Sequence, residues 1–213
     1  VAVRVDPSLA AYAASAARTV YVADRAVGAH EAMRLAVHEV LGHLVSAENG
    51  RRQPLRILEW GTAGAFADQE GLALYLEDMH GLMDVARLRT LAALVVATDL
   101  LHSGASFGET ARRLHRDEAF AAADAVAIAE RAYRGGGVAR DAAYLFGWLR
   151  VRDAFERGAC ALDELRLGRV GLDAIPRVRE LVREGWALPA ALRPNFSRSF
   201  RSTSGGTTPL RSP

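Results

Sequence analysis

The strongest constraint on the fold of this chain is a spacing. His38 and His43 stand five positions apart in the run His38-Glu39-Val40-Leu41-Gly42-His43. Two histidines that share one metal ion from a single α-helix are normally four positions apart, about 400° around the axis, with a glutamate directly after the first. Five positions turn about 500° and leave the rings roughly 140° apart on an ideal α-helix. A π turn, bonded i→i+5, returns them to one side. A metal reading of these residues therefore demands a widened helix around Leu41 and Gly42, and a glycine lowers the cost of that distortion. The other reading is two ordinary histidines on a half-buried helix with an apolar stripe of Val37, Val40, Leu41, Leu44 and Val45. On this pattern alone both stay open.

A second segment adds to the metal reading. Gln69-Glu70-Gly71-Leu72-Ala73 carries a carboxylate at a separation suited to a neighbouring helix. Two histidines and one carboxylate leave a fourth position open, as catalytic rather than structural zinc sites do. Glu70 has rivals as the third ligand in Glu59, Asp68 and Glu77. The residues alone do not choose among them.

The loop Arg134-Gly135-Gly136-Gly137, followed by Arg140-Asp141, is the other segment with chemical potential. Glycines let backbone N–H groups converge on an anion, and an arginine fork suits a carboxylate. A peptide's terminal carboxylate is the obvious candidate. Equally, this is a glycine-rich turn with Asp141 capping the next helix. Tyr144, one turn on, is either a donor to a developing oxyanion or a half-buried core tyrosine.

These segments belong to a longer succession: His38-Glu39 and His43, Asn49-Gly50, Gln53-Pro54-Leu55, Gln69 to Ala73, Arg87-Leu88, Arg134-Gly135-Gly136, and Arg140-Asp141 with Tyr144. In that order, over roughly residues 1–192, the chain resembles the HExxxH zinc peptidases of the tyrosine/phenylalanine carboxypeptidase group. That group holds the bacterial QEGLA-motif proteins and the microtubule-associated tyrosine carboxypeptidases, whose eukaryotic members remove the C-terminal tyrosine of α-tubulin. The resemblance implies that His38, His43 and Glu70 bind one zinc ion (Zn2+) and that Glu39 is the general base. Beside these, Arg134, Gly135, Gly136 and Arg140 are expected to bind substrate, and Tyr144 is the second candidate catalytic residue. The chain departs from the group in carrying Arg140-Asp141 where Lys-Asp is common, and Val40-Leu41-Gly42 where Ile-Gly-Thr is common. A helical region before the first strand, frequent in the group, is not visible.

The expected fold is mainly α (α+β): a single helical metallopeptidase domain over residues 1–192, a small N-terminal β-sheet, a distorted metal-binding helix, and a disordered tail over 193–213. A chain of 213 residues that is half hydrophobic is long enough for one real core. Val1 to Val5 alternates like a strand, and Thr19 to Val22 reads as a second. Ser8 to Ala17 reads as a short helix with Ser8 as N-cap. The two strands either cover the core or offer an edge to a peptide backbone. Helices are expected over about 29–47, 62–79, 83–102, 107–115, 117–133, 141–157 and 173–184. Glu48-Asn49-Gly50 is expected to break the metal helix, and Trp186 to Pro189 to pack the chain end. Ser, Thr, Gly, Pro and Arg dominate from Arg193 onward and cannot bury enough apolar surface to fold.

Composition narrows the function classes. A net charge of +2 with acids and bases nearly balanced gives no argument for nucleic acid. No apolar run reaches the ~18–20 residues that span a membrane. A single cysteine, Cys160, excludes an internal disulfide and fits a reducing, cytoplasmic setting. The leading expectation is a zinc carboxypeptidase that takes a C-terminal Tyr or Phe from a peptide or protein, with Glu39 drawing the proton from the attacking water. The alternatives are a zinc endopeptidase and a metal-binding regulatory protein without catalysis.

Overall fold

A computed structural model describes residues 1–16, 18–134 and 140–194. The chain opens with three short strands, β1 (Ala2–Asp6), β2 (Ala13–Ala16) and β3 (Thr19–Ala23), in the order β1-β3-β2. β1 runs parallel to β3 and β2 antiparallel to it. The helix expected over Ser8 to Ala17 is therefore a turn and a strand. Ser8 does not cap a helix; its N–H and hydroxyl both donate to Asp6 Oδ1, at 2.9 and 2.6 Å. That local bond turns the chain back, and the alanines that follow gain more from pairing with β3 than from their own helix propensity.

The remainder is helical. α1 (Ala29–Ala36) runs without interruption into a π segment (Val37–Leu44) and on into α2 (Val45–Arg51). Glu48-Asn49-Gly50 does not break this helix; both Asn49 and Gly50 are buried within it. Asn49 donates from Nδ2 to the carbonyls of Arg166 and Leu192, and its Oδ1 accepts from Leu192 N–H. A residue read as a helix stop is a staple to the distant chain end.

After α3 (Ile57–Trp60) comes the central element, α4 (Ala65–Met79), whose Leu72, Ala73, Leu74 and Leu76 are fully enclosed. It packs against the π segment on one side and α8 (Ala142–Glu156) on the other. A Cβ at Gly71 would lie 2.1 Å from the Gly147 carbonyl carbon, so α4 and α8 touch backbone to backbone. A Cβ at Gly42 would lie 2.5 Å from Ala73 Cβ, so the π segment approaches α4 almost as closely. α5 (Val85–His102), α6 (Phe107–Arg116) and α7 (Ala122–Tyr133) close a second, alanine- and leucine-rich core. Ser106 and Glu109 form a capping box at the start of α6.

The chain ends in α9 (Leu162–Leu165), a 3₁₀ turn (Leu172–Ala174) and α10 (Ile175–Arg183). Two buried glutamines hold this region. Gln69 donates to the carbonyls of Leu165 and Val170, and Gln53 to those of Leu167 and Leu188. At the chain end Ala187 is buried, but Trp186 stays 61% exposed and does not pack there as expected. The tail expected to be disordered falls, from residue 195, outside the described residues. Among the described residues no helix is long and apolar enough to cross a membrane.

Candidate metal centre

The demand set by the histidine spacing is met. Val37–Leu44 is a π segment, and Val45 N–H donates to the carbonyl of Val40, five residues back. Returning from five-residue to four-residue bonding skips a carbonyl, and side chains serve the backbone there. Arg166, wholly buried, donates from Nη2 to the Leu41 carbonyl at 3.2 Å, and Ser46 Oγ donates to the Gly42 carbonyl at 3.1 Å. The widened turn brings the two imidazoles edge to face, with ring centroids 4.8 Å apart.

Glu70 reaches them from α4. Its Oε2 lies 3.3 Å from His38 Nε2 and 3.5 Å from His43 Nε2. The three donor atoms lie within 4.8 Å of one another. Both distances are long for charge-assisted hydrogen bonds, and this buried oxygen has no hydrogen-bond partner among the described residues. They match something else: bonds of about 2.0–2.1 Å to a tetrahedral zinc place neighbouring donors roughly 3.3–3.4 Å apart. A buried, unbonded carboxylate oxygen between two imidazole nitrogens fits a metal ion. Burial opposes the Glu70 charge, but the two imidazoles outweigh it and hold its carboxyl below the ordinary range.

The rival ligands are otherwise engaged. Asp68 binds Arg150 and the Leu172 N–H, and Glu59 faces Arg56. Glu77, wholly buried, stands behind His38 and accepts from its Nδ1 at 2.7 Å. The same carboxylate receives Arg34 Nη1 at 3.1 Å and Arg87 Nε at 3.2 Å. Burial opposes the Glu77 charge too, yet His38, Arg87 and Arg34 together hold its carboxyl below the ordinary value. For His38 burial works against protonation, but Glu70 and Glu77 flank the ring and raise it to about 9.

The cluster lies in a cleft of about 1210 Å³. Glu39 follows His38 in the π segment, is only 6% exposed and lines this cleft. Tyr144 lines it from α8. Burial first, and then the Glu70 charge, push the Tyr144 phenol up to about 12. Arg134 and Arg140, both exposed, stand at the rim, with the Arg140 guanidinium 6.0 Å from the Phe66 ring centre. Gly135 and Gly136, with Gly137, lie outside the described residues. Asp141 does not cap α8 with its side chain; it accepts from Arg131 Nε at 2.7 Å.

Sequence reasoning missed the work of Arg34, Arg87 and Glu77. Glu77 lies seven positions after Glu70, on nearly the same face of one helix. That signal was visible, but it suggested a competing ligand rather than a partner for the ligand's far nitrogen.

Two histidines and a carboxylate gathered by a π-widened helix in an open cleft are a donor set that could hold a metal ion and leave a position free. The family model of the microtubule-associated tyrosine carboxypeptidases matches residues 1–206, and the chain belongs to that family. The family is one of hydrolases that act on peptide or protein C-termini, as its name states. Neither the curated proteins nor the solved structures yield a match.

Proposed function

We propose that this protein is a zinc-dependent carboxypeptidase that removes a C-terminal aromatic residue, Tyr or Phe, from peptides or proteins. One observation carries the reading: His38 Nε2, His43 Nε2 and an unbonded Glu70 Oε2 converge in the cleft that Glu39 lines. His38, His43 and Glu70 would hold the ion. When bound, zinc supplies Lewis acidity and brings the pKa of water towards neutrality.

The chain's own groups do the rest. Glu39 accepts a proton from the attacking water and returns it to the leaving amine, so its carboxylate works first as base and then as acid. Tyr144, with its phenol held protonated, donates a hydrogen bond to the oxygen on which charge develops. Arg134 and Arg140 take the substrate's terminal carboxylate and so fix which peptide bond reaches Glu39.

Metal analysis of purified wild type, His43→Ala and Glu70→Ala tests the first half. About one zinc per chain in wild type, lost from both variants, is expected; zinc unaffected by either change overturns the site. Peptides ending in Tyr, with the carboxylate free or amidated, test the second. Free peptides should be cut and amides largely spared; equal cleavage of both would mark an endopeptidase.

A further inference from the structure

We infer that Glu77 is a positioning residue for the metal centre: it holds the His38 imidazole, and Arg34 and Arg87 hold Glu77. The inference rests on the proposed zinc site and extends it to a residue that touches neither metal nor substrate.

The geometry has three parts. His38 Nδ1 and Nε2 face different carboxylates, Glu77 at 2.7 Å and Glu70 at 3.3 Å. A carboxylate flanked by two guanidinium groups only accepts hydrogen bonds, so Nδ1 must be the donor to Glu77. With Nδ1–H committed to Glu77, Nε2 is the nitrogen that would give up its proton and turn its lone pair to a metal, and it points where Glu70 Oε2 and His43 Nε2 converge. Glu77 thus selects both tautomer and ring orientation. His43 has no such carboxylate behind it among the described residues.

The second part is how firmly Glu77 is held. It is 0% exposed, so its charge cannot turn to water for solvation. Arg34 comes from α1, one turn before the π segment, and is itself tied to Glu31. Arg87 comes from the first turn of α5, where Asp84 caps the helix by accepting its N–H at 2.7 Å. Three helices therefore meet on one carboxylate, and the carboxylate meets one histidine. The third part is chemical: an anion behind an imidazole makes the far nitrogen a stronger donor to metal.

Glu77→Gln keeps an acceptor for Nδ1 but removes the charge and sets an amide N–H₂ against the two arginines. Zinc affinity, measured by competition with a chromophoric chelator, should weaken about 10–100-fold. The visible spectrum of the cobalt-substituted variant should shift as the His38 ring loosens. Glu48→Gln, which removes a carboxylate that has three arginine partners and does not line the cleft, should leave zinc affinity unchanged. If Glu77→Gln does not fold, Glu77→Asp decides. It keeps the charge and withdraws it by one methylene, and a several-fold weakening is then expected. A folded Glu77 variant that binds zinc within about twofold of wild type overturns the inference and leaves the proposed function intact. Wild type that takes up no zinc overturns both.

Discussion

The layer beneath the floor of the cleft and the outer face of the helix above it gather charge in the same way and use it differently. Just beneath the floor, Glu77 meets His38, Arg34 and Arg87, and its side chain is 0% exposed. On the outer face, Glu48, its own side chain 15% exposed, meets Arg18, Arg51 and Arg52, whose side chains are 71%, 26% and 47% exposed. Each carboxylate has three basic partners. Water separates the two cases. An exposed pair contributes ~0–1 kcal/mol and its side chains remain free to leave. A buried charge stripped of its partners costs about 3–5 kcal/mol, so its geometry is enforced. Depth converts a loose tie into a fixture, and the rim, with Arg134 and Arg140, lies between. The effect of losing a charge should therefore fall with its distance from the floor.

The largest effect belongs to Glu39, the buried carboxylate assigned to proton transfer. Glu39→Gln should lower kcat/KM by about 10²–10⁴-fold, with zinc content unchanged. A variant that keeps more than a tenth of wild-type activity would remove proton transfer from the floor and break the comparison there. Next comes the backbone contact on which the floor rests. Gly71→Ala drives a methyl into the Gly147 carbonyl, only 2.1 Å from the new Cβ position. Denaturant unfolding should show a loss of about 1–3 kcal/mol. Unchanged stability would mean that α4 and α8 can part without disturbing Glu70.

How much of this was legible in the sequence follows the same gradient. The five-residue spacing of His38 and His43 admitted one geometry for a shared ion, and that geometry is present. Helices show in the apolar period, and α4, α5 and α8 fall close to where it put them. The strand Ala13–Ala16 was not legible, because alanine favours helix and only pairing with β3 overrides it. Asn49 looked like a helix stop because its long-range partners, Arg166 and Leu192, are invisible to local propensity. Glu77 was visible as a carboxylate on the right face. Its place behind His38 depends on arginines from two other helices, and no spacing within α4 encodes that.

Arg134 and Arg140 test the middle of the gradient. Both are exposed, so replacing either by Ala should leave the melting temperature within a degree or two. If they take the terminal carboxylate, each loss should raise KM about 10-fold for a free peptide, the low end of a charged hydrogen bond. kcat should change little, because an interaction equal in ground and transition states moves KM alone. For an amidated peptide the variants and wild type should be indistinguishable. A large fall in kcat instead would draw these arginines into the chemistry and shift the boundary between rim and floor.

The smallest effect belongs to Glu48, and it separates charge from depth most cleanly. Hydrogen bonds from Arg18 and then Arg51 hold its carboxyl down at about 2, against an ordinary 4.5. A depressed carboxyl stabilises the folded state at every pH above its unfolded value. That stabilisation is fully present above about 4.5 and fades as pH falls towards 2. The raw shift overstates the energy, because Arg18 is 71% exposed and solvent screens the pair. At pH 7, Glu48→Gln should cost about 0.5–1 kcal/mol in urea unfolding. The gap from wild type should narrow steadily below pH 4.5, and added salt should narrow it at neutral pH. Zinc affinity should not move at either pH, since Glu48 does not line the cleft and its partners Arg18, Arg51 and Arg52 are not among the proposed ligands. A loss of several kcal/mol at pH 7, insensitive to salt, would show that this outer cluster is as rigid as the one behind His38, and burial would no longer explain the difference between two carboxylates with three basic partners each.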